Sequence, residues 1–211
     1  MNSIVLSSGL ILAAYLLGSL SGSLLLGRLR GIDIRTQGSG NAGGTNAFRT
    51  QGAKFALGVV IIDIGKGALA AWLGLRFADA SNAAWLAYAT AFAAALGHVW
   101  PLWHGFRGGK GAATVVGGIA VLWPMAIPVL LAVWLGTLIL TGYVGLSTIL
   151  TGLTVAILAL ATQADAPRLA FAVAIALLLL FTHRANVARL RAGTESRFDK
   201  ARLLHRMTRR A

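Results

Sequence analysis

The chain has 211 residues, 57% hydrophobic and 12% charged, against about a quarter charged in soluble domains, so the composition argues against a soluble fold and for a polytopic membrane protein. Its net charge of +13, from 19 Lys and Arg against 6 Asp and Glu, gathers beside apolar runs, which suits membrane orientation, an anionic leaflet and an anionic substrate rather than nucleic acid. Cysteine is absent, which excludes disulfides, thiolate catalysis and cysteine-held metals.

Apolar runs near the ~18–20 residues needed to cross a bilayer recur along the chain, and the expected fold class is all-α with seven transmembrane helices. The first span covers Ile4 to Leu26. No Lys or Arg precedes Arg28, so the charged region of a cleaved signal is lacking, and this segment is expected to stay in place with its N-terminus outside. The second span is expected over Phe55 to Phe77, and the third over Trp85 to Trp103. The fourth runs from Ala112 to Trp123 and the fifth from Ile127 to Leu140, separated at Trp123–Pro124 to Pro128. Proline disfavours a helix interior and restricts the residue before it, so two short helices are expected there, one long kinked helix being the alternative. The sixth covers Leu146 to Thr162 and the seventh Leu169 to Thr182. No linker separates a second domain, and 1–211 reads as one integral-membrane domain.

With seven spans and the N-terminus outside, 16 of the 19 cations fall on the inside and two, Arg76 and Arg168, on the outside, with Lys66 inside a span. That asymmetry sets the orientation and places the C-terminus in the cytoplasm. It also puts three polar segments on one side, Gly38 to Arg49, Gly97 to Thr114 and His183 to Glu195, where they are expected to form one anion site. The basic tail from Ser196, with Phe198, Leu203, Leu204 and Met207 interspersed, reads as a short surface helix on anionic lipid.

The first segment, GSGNAGGTNAFR, holds Ser39, Gly43, Gly44, Thr45, Asn46 and Arg49. Glycines let backbone N–H groups turn toward an anion, the hydroxyls add donors, and an arginine can hold two phosphate oxygens at once. The second, GHVWPLWHGFRGGKGAAT, sets Arg107 and Lys110 among Gly108, Gly109 and Gly111 just before a span. A helix N-terminus there offers N–H groups and a positive dipole end. Lys110 is followed by glycine rather than Ser or Thr, so the string is not a nucleotide-binding P-loop. In the third, HRANVARLRAGTE, His183, Asn186 and Arg189 recur at helical spacing. An imidazole and an amide suit polyol hydroxyls, although a histidine at the end of a span is also a common structural hydrogen-bonder. Glu195 can neutralise Arg49 or Arg189, or cap a turn.

Asp63 and Lys66 lie three apart well inside the second span, where charge is costly and is usually paired or functional. An ion pair holding helices together is the first reading and transport coupling the second. His98 and His104 flank the Trp-Pro-Leu-Trp turn and are expected to pack. No histidine is followed five residues later by aspartate, and no His/Asp/Glu cluster suits a metal. The chemistry therefore calls for no metal and no cofactor.

These three segments resemble the three cytoplasmic motifs of the bacterial acyl-phosphate:glycerol-3-phosphate acyltransferases, and the length, span count and orientation are similar from end to end. The resemblance implies transfer of a fatty acyl group from acyl-phosphate to the 1-hydroxyl of glycerol 3-phosphate, the first step of phospholipid biosynthesis, at the cytoplasmic face of a bacterial inner membrane. By motif position it implies that Ser39, Arg49 and Lys110 hold phosphate, with Gly43, Gly44 and Thr45 beside them. His183 and Asn186 contact the glycerol hydroxyls, and Glu195 supports the site. Asn46, Arg107, Gly109, Gly111 and Ser147 complete the implied substrate-binding set. The expected companions are the substrates, membrane lipids and the soluble enzyme that supplies acyl-phosphate, with the chain itself a monomer.

The sequence departs from the family pattern twice. Gly44 stands where the first motif usually has alanine, which is expected to loosen a loop. Gly145, in TGYVGLST, stands where a substrate-contacting serine is common, so that Ser147 or Thr148 is expected to substitute. The rival class is a membrane transporter for an anionic metabolite with the basic loops as vestibule, supported by Asp63 and Lys66.

Overall fold

The computed structural model describes residues 3–79 and 82–198, and all the regular structure among them is helical. Ten α-helices follow one another among the described residues. They are α1 (Ser3–Gly18), α2 (Gly22–Leu29), α3 (Gly44–Gln51), α4 (Ala53–Phe77) and α5 (Ala83–Val99), then α6 (Ala112–Leu122), α7 (Ile127–Thr141), α8 (Val144–Ala161), α9 (Ala166–Thr182) and α10 (Arg184–Arg191). Apolar runs this long lack the alternation of a barrel strand, and a helix satisfies each backbone polar group within its own segment.

The helices fall into two compact units, Met1–Pro124 and Met125–Ala211. In the first, α4 packs on α5 and α6, α1 packs on α5, and the short α2 and α3 lie on α4. The close approaches run through glycine. A Cβ on Gly18 would overlap the Ala94 backbone, one on Gly97 the Tyr15 carbonyl, and one on Gly67 the Thr114 carbonyl. Small residues let backbones meet where apolar burial gives no advantage over lipid. In the second unit α8 packs on α7 and α9, and α10 lies against α8 and α9.

Each of the seven predicted spans is helical, but they are not equivalent. Ala53–Phe77, Ala83–His104, Pro124–Thr141 and Val144–Ala161 are each long and apolar enough to cross a membrane. Ile4–Gly18 with Gly22–Leu29 and Ala166–Thr182 with Arg184–Arg191 qualify as bent pairs, at 47° and 55°. The eleven residues of α6 cover about 16 Å at 1.5 Å per residue, about half the hydrocarbon thickness.

Two boundaries refine the sequence reading. The first span, expected as one continuous helix, breaks between Gly18 and Gly22 around the buried Ser19 and Ser21. At the other expected break, Trp123 leaves the helix at φ −150°, and a single 3-10 turn, Pro124–Ala126, leads into α7. Two separate helices form there, as the prolines suggest. Of the tail expected as a surface helix, 196–198 are not helical, and Leu203, Leu204 and Met207 lie outside the described residues.

Candidate active site

The first polar segment is organised by Asn46. This side chain is 2% exposed. Its Oδ1 accepts from the Ser39 backbone N–H at 2.9 Å, and its Nδ2 donates to the Ile34 and Gln37 carbonyls at 3.1 and 3.0 Å. Both amide hydrogens are thereby committed. Asn46, expected among the substrate-binding groups, is instead the clip that shapes the loop and sets Ser39 at its exposed tip. The loop reverses through Gly38 and Gly40 at φ +55° and +71°, a region that favours glycine. Gly44 is the first residue of α3 rather than part of a loose loop, and it approaches Val60 so closely that a Cβ would meet the methyl at 2.9 Å. Thr45 and Arg49, four apart on α3, share one exposed face.

Arg35 joins this segment to the second. Its Nε and Nη2 grip the Asp33 carboxylate, at 3.0 Å to Oδ1 and 2.7 Å to Oδ2. Its Nη1 donates to the His104 carbonyl at 2.9 Å and the Arg107 carbonyl at 3.2 Å. The guanidinium hydrogen bonds hold the Asp33 carboxyl below its ordinary pKa and raise that of Arg35 in return. Beyond Arg107, the Gly108 and Gly109 N–H groups bond back to the Val99 and His98 carbonyls, each at 3.1 Å. Gly111, at φ +88°, turns the chain into α6. Lys110 therefore stands immediately before a helix N-terminus whose first N–H groups have no partner within the helix. Gly109 is buried and Arg107 exposed.

Behind this loop lies a charged cluster. Asp63 and Lys66 pair at 2.9 Å, and Lys66 Nζ reaches the Leu20 carbonyl at 3.0 Å and His98 Nδ1 at 2.8 Å. Asp63 Oδ1 accepts from the Gly22 N–H at 3.1 Å. The pair thus ties the backbone groups opened by the break between α1 and α2, the role expected of it first. The charges that support a transport reading are committed to the fold.

In the second unit His183 ends α9 and begins α10. It is buried, and its Nδ1 lies 2.8 Å from the Leu179 carbonyl. Nδ1 therefore carries the hydrogen, and in the neutral ring Nε2 holds the lone pair. The Asn186 amide donates to Glu195 Oε1 at 2.6 Å, and Arg189 Nε reaches Oε2 at 2.6 Å. Of the roles open to Glu195, pairing with Arg189 is realised. Asn186 packs against Gly145, where a Cβ would come within 2.6 Å of the amide nitrogen. Ser147, expected to stand in for the absent serine hydroxyl, is wholly buried, and its Oγ donates to the Tyr143 carbonyl at 2.9 Å. The Thr148 hydroxyl likewise donates to its own helix, to the Val144 carbonyl at 3.0 Å.

The sequence profile of the glycerol-3-phosphate acyltransferase family matches residues 8–193. The chain belongs to that family. Among similar relatives are the glycerol-3-phosphate acyltransferases of Halalkalibacterium halodurans, 37% identical over 90% of this chain and 95% of that one, and of Synechococcus sp. strain JA-2-3B'a(2-13), 42% identical over 90% and 94%. Among solved structures, the fold is similar to PlsY (YgiH), an integral membrane glycerol 3-phosphate acyltransferase. The TM-score is 0.85 to its glycerol 3-phosphate form, with 34% identity over 91% of this chain and 95% of that one. To its lysophosphatidic acid form the TM-score is 0.83, at 33% identity. Family membership agrees with the sequence resemblance, but it leaves the clips uncounted. Asn46 could be read only as a motif residue. Asp33 and Arg35 carried no signal beyond their spacing, and His98 joins the ion pair across 32 positions of sequence, which no local pattern reveals.

Proposed function

We propose that the chain transfers a fatty acyl group from acyl-phosphate to the 1-hydroxyl of sn-glycerol 3-phosphate, giving 1-acyl-glycerol 3-phosphate and inorganic phosphate. The observation that carries this reading is the match, over 91% of the chain, to an acyltransferase in its glycerol 3-phosphate form.

The chemistry suits the residues. An acyl-phosphate is an activated mixed anhydride, so the glycerol oxygen attacks the acyl carbonyl, the bond between the acyl carbon and the bridging oxygen breaks, and that oxygen departs with the phosphate. The proton of the attacking hydroxyl passes to a substrate phosphate oxygen, which removes the need for a dedicated base. The protein's task is to bring two anions together and stabilise developing charge. Arg49 and Lys110 supply cations, and Ser39, Thr45 and the backbone of Gly43, Gly44 and Gly111 supply donors. His183, through Nε2, and Asn186, through its amide oxygen, accept from glycerol hydroxyls. Arg107 adds a cation at the rim, and Glu195 and Asn46 hold their neighbours in place.

With seven crossings and the N-terminus outside, the cations divide 16 inside to 2 outside, an asymmetry that supports this orientation. This puts the chemistry on the cytoplasmic face of the bacterial inner membrane, where a soluble enzyme can deliver acyl-phosphate.

The test is phosphate release by the purified protein in lipid, given palmitoyl-phosphate with and without glycerol 3-phosphate, with acyl-CoA in parallel and Lys110→Ala as control. Release that requires glycerol 3-phosphate, equals the lysophosphatidate formed and collapses in the variant is the expected result. Turnover with acyl-CoA instead overturns the donor. No turnover with either donor in folded protein overturns the reaction.

A further inference from the structure

We propose that Asp63, Lys66 and His98 form a buried positioning device that fixes the Gly108–Gly109 turn, and with it the placement of Arg107 and Lys110. Its consequence for catalysis rests on the acyltransferase reading; its structural content does not.

Three charged or titratable side chains, exposed by 1%, 4% and 3%, sit where burial costs several kcal/mol per unpaired ion (~, by order of magnitude). Asp63 and Lys66 are explained by the opened backbone at Leu20 and Gly22. Those contacts do not require His98. Yet the ammonium, which has three hydrogens, directs one at His98 Nδ1 at 2.8 Å, beside its bonds to Leu20 and Asp63. Asp63 Oδ1 lies 3.3 Å from the same nitrogen. Since an ammonium can only donate, Nδ1 is the acceptor and the ring hydrogen belongs to Nε2. The ring is held from this side by the Lys66 ammonium, which Asp63 in turn holds in place.

Its other edge meets the loop. A Cβ on Gly109 would strike His98 Nε2 on one side and come within 2.9 Å of the Ala42 carbonyl. The absence of a side chain lets the Gly109 backbone pass between the imidazole and the first polar segment. The same turn caps the end of α5: the His98 and Val99 carbonyls, which a helix C-terminus leaves without helical partners, accept from Gly109 and Gly108. His98 thus fixes the turn twice, through its carbonyl and through its ring. Lys110 is the next residue. A ring free to change rotamer would relax the wall against which Gly109 rests, and the cation after it would lose its fixed position.

The experiment uses the full chain in lipid nanodiscs, with backbone hydrogen exchange at 105–111 and steady-state kinetics on each variant. His98→Asn keeps an acceptor for Lys66 but withdraws the ring edge from Gly109. An Asp63→Asn, Lys66→Met pair keeps shape without charge, and covers the case in which one substitution fails to fold. The expected result is exchange at Gly108 and Gly109 faster by roughly tenfold, with α4 still protected. The KM for glycerol 3-phosphate should rise by roughly tenfold while that for the acyl donor stays within about twofold. Unchanged exchange at these glycines in a folded variant overturns the proposal, as does a loss of protection spread evenly over α4 and α5. If the unsubstituted protein shows no turnover of glycerol 3-phosphate, the acyltransferase reading falls, and exchange alone decides the positioning role.

Discussion

The Asn186 side-chain amide donates to Glu195 at 2.6 Å across nine positions of sequence, and the opposite oxygen of that carboxylate holds Arg189. The carboxylate side chain is 6% exposed, the arginine 43%. Removing the carboxylate therefore strands the buried amide more than the arginine, which can turn to water. Glu195→Ala is expected to cost about 1–3 kcal/mol, the penalty for an unsatisfied buried donor, and Glu195→Gln less. Thermal unfolding of the two variants in one detergent checks the order. Equal melting temperatures for Ala, Gln and the unsubstituted chain would sink the assignment.

Asn46 gives a second, independent prediction. Its amide satisfies the Ser39 N–H and the Ile34 and Gln37 carbonyls, so Asn46→Ala leaves three backbone groups to find water. A stability loss of about 1–3 kcal/mol is expected. The KM for glycerol 3-phosphate should also rise about tenfold, because Ser39 is no longer held at the loop tip. A variant of normal stability and normal KM would contradict the clip.

Glycine packing is tested by a pair on one helix. A Cβ on Gly67 would overlap the Thr114 carbonyl, whereas one on Gly65 meets nothing within 4 Å. Gly67→Ala should destabilise by about 1–3 kcal/mol through overpacking. Gly65→Ala should be neutral or gain up to about 1 kcal/mol of helix propensity. The difference in melting temperature between the two variants is the measurement.

The Asp33–Arg35 pair sets a pH dependence whose sign follows from its geometry. The folded-state pKa of Asp33 is lowered by the Arg35 hydrogen bonds, so between the folded and unfolded values the unfolded chain binds more protons. The contribution is then fully present above the unfolded value of about 3.9 and is lost as pH falls through the folded one. Asp33→Asn should be less stable than the unsubstituted chain at pH 7, and the gap should close in acid. With the Asp33 side chain 39% exposed, the gap should also narrow with salt. A gap that persists unchanged at low pH would exclude the pair as its source.

Topology can be read on intact cells, since the chain has no cysteine to remove. Asp79→Cys, next to the end of α4, should react with a membrane-impermeant maleimide from outside. Thr36→Cys and Ala192→Cys should react only after permeabilisation. All three positions are exposed. The reverse pattern would invert the orientation and remove the cytoplasmic site.

What the sequence determined by itself is what depends on composition and local order. Continuous runs of Leu, Ala and Val, without the alternation of a barrel strand, satisfy their backbone in a bilayer as helices, and Trp123–Pro124 marks where one is broken or kinked. Glycine or asparagine combined with Arg or Lys in three segments pointed to a polar, anion-binding site, because those residue types carry their meaning wherever the chain places them. The tertiary structure decided which of these residues face a ligand and which hold others still. Asn46 and Ser147 look like donors in the sequence, but burial turns one onto its own loop and the other onto its own helix. The first span gave no sign of its break, since Ser19 and Ser21 are tolerated in a continuous helix. What makes the break stable is an ion pair more than 40 residues away, with Asp63 on the Gly22 N–H and Lys66 on the Leu20 carbonyl. Hydrogen-bond satisfaction across such distances is a property of packing, and no local pattern encodes it.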